Sequence, residues 1–327
     1  MAQLTIVSAI NLGLRRAMDN DPKVLLMGED IGKLGGVFRV TEGLQKDFGD
    51  ERVIDSPLAE SGIVGTAIGL ALYGFRPVVE IQFDGFVYPA FDQIVSQMAR
   101  MRYRSGGALH LPITIRMPFG GGIGSVEHHS ESPEAYFAAT PGLRVIACAD
   151  PNDAYWMIQQ AIASDDPVIF LEPKRRYWQK GEVDTSADVS TALPMFNAKV
   201  LVEGSDCTLI SYGPTVVTAL LAARLAAEDG VRLEVIDIRS LSPIDMATIE
   251  RSVRKTGRAI VVHEAPGSGG LGAEIGQRLV ETSFAHLKAP VLRVTGYDTP
   301  YPPSRVEENY LPDADRILDA LEKVMRH

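Results

Sequence analysis

The sequence predicts an α/β protein of two domains, each a mostly parallel sheet flanked by helices. Two observations carry this. Short apolar runs alternate with segments of helical period, which implies crossover units and parallel strands. The alternation stops once, between Lys174 and Pro194, where the chain is first charged and then Ser/Thr-rich with no apolar period, and afterwards it resumes.

The elements follow in order. "MAQLTIVSAINLGLRRAMD" reads as an amphipathic helix. "KVLLMGE" and "RVIDS" are buried strands, followed by the helix "PLAESGIVGTAIGLALYG". Ser56-Pro57 starts that helix: Ser is a favoured cap and Pro is tolerated at the first helical position. The strand "RPVVEIQF" leads into the helix "YPAFDQIVSQMARMRYRSG", and the strand "LPITIRMPF" follows. "GGGIGSVEHHSESPEAYF" is a glycine-rich loop entering a helix that Ser132-Pro133 and Glu134 cap. "RVIACA", the helix "PNDAYWMIQQAIAS" and "DPVIFLEP" complete a first domain at residues 1–180. A linker spans 181–197. In 198–327, "DCTLISYG", "LEVIDIRSL", "AIVVHEA" and "VLRVTG" are strands and Asp313 to Met325 is an amphipathic helix.

The totals exclude several functions. A net charge of −10 over 327 residues, with pI about 5.2, argues against nucleic acid and anionic membranes as partners. No apolar run reaches the roughly 18 residues of a membrane span, and the N-terminus lacks the basic start and continuous apolar core of a signal peptide. Cys148 and Cys207, in no C-x-x-C pair, read as buried free thiols of a cytoplasmic protein. The histidines show no zinc spacing.

The stretch around Glu60 is unusual. An acid in a first helical turn is favoured by the helix dipole and needs no further reason. Gly62, Gly65 and Gly69, however, lie three and four apart on one face. Each interior glycine costs about 0.5–1 kcal/mol relative to alanine, so the stripe implies a close backbone approach by another helix, from this chain or another. A carboxylate beside such a face is shielded from water and suited to exchanging protons with a ligand.

"DSPLAESGIVGTAIGLALYGFRPVVEIQFDGFVYPAFDQIVSQMARMRYRSGG" resembles the beta subunit of the thiamine-diphosphate-dependent decarboxylating component of 2-oxo acid dehydrogenase complexes. The likeness continues through "MGEDIGKLGGVFRVTEGL", "EHHSESPEAYFAATPGLRV", "EVIDIRSLSPID" and "HEAPGSGGLGAEI". "LEPKRRY" and "DTPYPPSR" bring it nearest to the bacterial branched-chain enzyme, 3-methyl-2-oxobutanoate dehydrogenase (lipoamide), with the pyruvate enzyme as the alternative. The resemblance implies a transketolase-like pyrimidine-binding domain and a transketolase C-terminal-like domain concerned with assembly and docking. It implies that Glu60 hydrogen-bonds N1′ of the cofactor's aminopyrimidine and sets its tautomer, the thiazolium serving as electron sink for decarboxylation. Leu58, Gln82 and Phe86 are implied to line the pyrimidine pocket. His129 is implied to assist proton transfer as the acyl group passes to lipoyl-lysine of the acyltransferase core, His128 being the less certain of the pair. On residue type alone, Phe86 is a core aromatic and Gln82 an exposed strand-end amide.

A diphosphate and Mg²⁺ site of these enzymes commonly begins with Gly-Asp-Gly, and none exists here; the nearest are "GDE" at 49 and "EDG" at 228. The resemblance explains this through an α2β2 heterotetramer whose alpha subunit holds diphosphate and Mg²⁺. It also implies a structural potassium ion on backbone oxygens of Ile113, Ala161, Ile162, Ser164 and Asp166, with Ser164 departing from the usual aspartate. "GSGGLG", Gly267 to Gly272, fits G-x-G-x-x-G and raises a nicotinamide-dependent oxidoreductase as an unlikely competitor. The required acidic strand end about 20 residues on is missing. A docking scaffold with no chemistry is the third class.

Overall fold

The computed structural model describes residues Met1–His327. Its strands are numbered β1 to β14 along the chain. The first sheet contains β2 (Val24–Gly28), β3 (Val53–Asp55), β4 (Arg76–Glu80), β5 (Thr114–Phe119), β6 (Arg144–Ala147) and β7 (Val168–Pro173). It is closed by β12 (Ser240–Ser242), in the order β12-β6-β7-β5-β4-β2-β3. All its pairings are parallel except β12 on β6. Its central strands β2, β5 and β7 are buried along their whole length, as the continuous apolar runs require of a sheet covered on both faces. The second sheet has the order β14-β13-β10-β11-β9, from β9 (Lys199–Val202), β10 (Cys207–Ser211), β11 (Leu233–Asp237), β13 (Ala259–Pro266) and β14 (Leu292–Gly296). Only β9 is antiparallel there. Cys148 and Cys207 are free and buried. No helix is long and apolar enough to cross a membrane.

One cluster of 36 buried side chains runs from Met27 through Val79 and Ile115 to Ile236, Ile249 and Leu279, so the two halves share a hydrophobic core. The strand β12 joins them further, because it leaves the second half to finish the first sheet.

Several local readings change. Residues Ala2–Thr5 form β1, paired antiparallel with β8 (Lys180–Val183), and the first helix begins at Ile6, capped by the Thr5 hydroxyl. Part of the expected linker is therefore strand; its partner lies at the other end of the chain, where no local signal marks it. The Glu60–Leu72 helix starts four residues later than Ser56, with Ala59 at its cap and no capping side chain. The Ser56 N–H is instead spent on the Gly28 carbonyl (2.8 Å). Likewise Pro133, not Ser132, precedes the helix Glu134–Ala138. The expected single helix at 88–106 is a 3₁₀ turn at Asp84–Ala90, a π-helical stretch at Asp92–Met98 and an α-helix at Ala99–Arg104. Pro89 inside the first of these supplies no N–H and breaks the α ladder.

Topology locates a crevice. The chain goes from β2 outward to β3, then returns to the opposite side of β2 as β4 and continues outward through β5. Strand order reverses between β2 and β4, and in open α/β sheets ligands bind outside the carboxyl ends of strands at such a reversal. Glu29 follows β2, the segment Ser56–Glu60 follows β3, and Gln82 and Phe86 follow β4.

Candidate active site

Glu60 opens its helix at the carboxyl side of the sheet and is 8% exposed. Ile63, Val64 and Ala67, on the inner face of the same helix, are buried and fix it in the core. Leu58, two residues before Glu60, is 66% exposed at the crevice mouth. The helix packs against the turn Asp84–Ala90, which in turn packs against the turn Glu127–His129. Glu60, Phe86 and His129 thus stand on three successive elements in contact. Gln82 is half-buried in the bend between β4 and that turn.

Glu29 was not singled out from the sequence. Its proton affinity is raised, first by burial, then by the charges of Asp30 and Glu60. Its Oε2 is buried and has no hydrogen-bond partner. Two neighbouring carboxyl groups suit a ligand that shares a proton at a ring nitrogen. The one sequence signal was position, directly after a buried strand at the reversal of strand order.

An aromatic wall lines the other side. The His129 ring centroid is 4.1 Å from Phe83 and 5.1 Å from Phe86, and Phe86 lies nearly parallel to His128 at 6.0 Å. Phe83 also meets Phe38 edge-on at 5.5 Å. Neither Phe83 nor Phe38 carries a motif, and both read as ordinary core residues. The His129 Nδ1 is buried without a partner. Burial first, then the neighbouring His128 and the Lys174 charge, hold its pKa below the usual histidine value, so the ring is neutral at pH 7. Lys174 belongs to a fully buried pair with Asp84, 2.8 Å apart, and sits over the Phe83 ring. Burial pushes the Asp84 carboxyl up to about 7 against the pull of Lys174, and pushes the lysine down.

Gly85 sets the distance between the wall and the histidine turn. A Cβ there would lie 2.3 Å from the His128 carbonyl oxygen. By contrast, Gly65 and Gly69 have nothing within 4 Å of an added Cβ, and Gly62 meets only Ala59 at 3.6 Å. Within the chain the glycine stripe is exposed, so the close approach it implied is not made by this chain's own elements.

These residues fit an aminopyrimidine: paired carboxyl groups, an amide and an aromatic wall. They do not form a metal site, since no group of three or more His, Cys, Asp or Glu side chains converges anywhere. At the potassium positions each backbone oxygen accepts a hydrogen bond. Arg76 Nη1 donates to the carbonyls of both Ile162 and Ser164 at 3.1 Å. The Ile113 oxygen accepts from Val168 N–H (2.9 Å), Ala161 from Ser164 N–H (3.1 Å), and Asp166 from the Ser164 hydroxyl (2.9 Å). Each of the five oxygens keeps a second lone pair, and the cation seen beside Ile162 and Ser164 is the Arg76 guanidinium.

The "GSGGLG" turn follows β13 and precedes the helix Leu271–Ser283, as the fingerprint asks. Its interior is filled by His263, whose Nε2 accepts from Gly272 N–H (3.2 Å); a Cβ on Gly270 or Gly272 would stand 2.7 Å from that ring. The glycines allow helix and strand to close on an imidazole.

Family models match the chain in two places: transketolase, pyrimidine binding domain, at residues 2–179, and transketolase, C-terminal domain, at 197–317. The chain is 58% identical over 324 residues to the pyruvate dehydrogenase E1 component subunit beta of Leifsonia xyli subsp. xyli, covering 99% of this chain and 95% of that one. It is 53% identical to the 3-methyl-2-oxobutanoate dehydrogenase subunit beta of Mycobacterium tuberculosis, covering 99% and 92%. Against the Bacillus subtilis pyruvate dehydrogenase E1 component subunit beta it is 47% identical, covering 99% of each chain. A split-gene transketolase solved as an inactive beta4 tetramer superposes with a TM-score of 0.80 at 23% identity, covering 99% and 98%, which speaks for the fold.

Proposed function

The chain belongs to the transketolase-like beta subunits of 2-oxo acid dehydrogenases, and from that premise we propose that it supplies the aminopyrimidine half of a thiamine diphosphate site. The diphosphate and its Mg²⁺ are held by a separate alpha chain in an α2β2 tetramer. The reaction is oxidative decarboxylation of a 2-oxo acid, with the acyl group passed to lipoyl-lysine of an acyltransferase core. The enzyme works in the cytoplasm, in keeping with two free, buried thiols.

One observation carries the reading: a nearly buried carboxylate, Glu60, opens a helix at the reversal of strand order, with Glu29 beside it and Phe86 and His129 on the adjoining turns. Thiamine diphosphate, when bound, supplies an acidic thiazolium carbon and an electron sink. Glu60 holds a proton against the pyrimidine ring nitrogen, an interaction strengthened where water is excluded. Glu29 adds negative charge next to it. Leu58, Gln82 and Phe86 orient the ring. The neutral His129, with a free buried ring nitrogen, is able to hold or release a proton at the acyl acceptor.

Positioned proton transfer contributes about 10²–10⁴-fold. Glu60→Gln in the co-expressed tetramer is therefore expected to lower decarboxylation by that factor while the tetramer stays intact in sedimentation. Full turnover by that variant would leave only a docking scaffold.

Among substrates we favour branched-chain 2-oxo acids, on "LEPKRRY" and "DTPYPPSR". Pyruvate is the competing reading, carried by the 58% identity to the Leifsonia subunit. The test is co-expression with the neighbouring alpha gene and comparison of kcat/KM for 3-methyl-2-oxobutanoate and pyruvate.

A further inference from the structure

His129 rides on the segment Gly120–Ser132 between β5 and the helix Glu134–Ala138, and the root of that segment and the helix after it are tied to the second half of the chain. At its root, Gly120 N–H donates to the Glu131 carbonyl (2.7 Å) and closes the loop on itself. The next N–H, of Gly121, donates to the Glu264 carboxylate at the end of β13. The third, of Gly122, donates to the Tyr301 hydroxyl oxygen (2.9 Å) and to Glu307 Oε2 (3.2 Å). The Tyr301 hydroxyl itself donates to Glu307 (2.9 Å). At the far end, Tyr212 donates to Glu134 (2.8 Å). Glu264 and Glu307 are buried, so their acceptors face the loop and not water.

The root is glycine by necessity. A Cβ on Gly121 would fall 1.9 Å from the Tyr301 hydroxyl oxygen, and Gly122 has φ +81 with Arg175 close by. Side chains have been removed from the loop where the second half grips it, and the grip is on backbone N–H groups. The histidine turn of the loop rests on Gly85, Phe83 and Phe86.

We propose that Glu264, Tyr301 and Glu307 are positioning residues: they clamp the root of the loop and thereby hold His129 against the aromatic wall, without touching the reacting atoms. This rests on the reading of His129 as the group that serves acyl transfer. It gives the "DTPYPPSR" segment a task inside the active site, delivered from the other half of the chain.

The test uses the α2β2 holoenzyme. Tyr301→Phe deletes one hydroxyl and keeps the ring. Hydrogen exchange of residues 121–130 is expected to speed up by about three- to tenfold, the loss of about one ordinary hydrogen bond. Acyl transfer to a free lipoyl domain is expected to fall about tenfold in kcat, whereas decarboxylation read with an artificial electron acceptor and KM for the 2-oxo acid stay at the parent values. Combined with His129→Ala, Tyr301→Phe is expected to cost nothing further, because both act through one group. Glu307→Gln, which keeps an acceptor oxygen, is expected to be milder than Glu307→Ala. Unchanged exchange across 121–130 overturns the clamp. So does an additive loss in the double variant, which would mean that Tyr301 acts elsewhere. If His129→Ala transfers acyl groups normally while the exchange still rises, the clamp stands and the assignment of His129 falls.

Discussion

Gly85→Ala isolates the geometry of the histidine turn. The added methyl carbon would lie 2.3 Å from the His128 carbonyl oxygen and 2.9 Å from its carbonyl and α carbons, where 3.0 Å is the closest approach real Cβ atoms make. Something must retreat by about 0.7 Å or more. The turn Asp84–Ala90 resists, because Val87 and Ala90 are fully buried in it. The histidine turn yields: His128 is exposed, and the hydrogen bonds His129 N–H to Val126 and Ser130 N–H to Glu127 are internal, so it shifts as a unit. Gly85 does not have a positive φ, so alanine adds no backbone strain of its own. A misplacement of 1 Å costs about 10²-fold, so this smaller one is expected to lower acyl transfer to lipoyl-lysine about ten- to a hundredfold. The structural penalty is bounded by ordinary overpacking, about 1–3 kcal/mol, and the tetramer survives. The assay is stopped-flow reductive acylation of a lipoyl domain beside decarboxylation with an artificial acceptor. Full acyl transfer by Gly85→Ala would refute the placement of His129 in the reaction.

Gly65→Ala fills open space within the chain, so it is expected to add about 0.5–1 kcal/mol to the isolated helix but to weaken association with the alpha chain, read by sedimentation of the mixed subunits; unchanged association would mean that no partner packs on the stripe. Glu134 is pushed up to about 7 by burial. Its folded-state pKa exceeds the unfolded value, so the stability it gives is present below about pH 4.5 and is lost as pH rises through about 7. Glu134→Gln is accordingly expected to raise the thermal midpoint at pH 8 and to leave it unchanged near pH 4.5, with unchanged midpoints at both refuting the burial argument. Because Arg76 engages the carbonyls of Ile162 and Ser164, exchanging potassium for sodium is expected to leave the midpoint unmoved, and a potassium-specific rise would show that an ion displaces the guanidinium.

What was legible in the sequence follows from the range of the forces concerned. Buried parallel strands announce themselves because both faces must be apolar, so β2, β4, β5, β7 and β10 all fall within the stretches read as strands and β13 runs one residue past its own. The start of the Glu60 helix differs from the reading for a nonlocal reason: the Ser56 N–H donates to Gly28 and prolongs the pairing of β3 with β2, which sequence spacing does not report. β1 and β8 were invisible because each is marginal alone and exists through the other.

The site divides in the same way. Glu60 and the His128-His129 pair are legible because a carboxylate beside a glycine stripe and histidines in a glycine-rich loop are unusual locally, and the resemblance is what selects His129 of the two. Glu29, Phe83 and Lys174 did not, since each becomes informative through neighbours distant in the chain: Glu29 through Glu60, Phe83 through His129, Lys174 through Asp84. The glycines of the loop root show the point most sharply. Read along the chain, Gly120 to Gly122 suggest mobility, yet two of their three N–H groups are held by side chains beginning 143 residues later. Glycine there is the condition for a tight grip, and flexibility is what the grip removes.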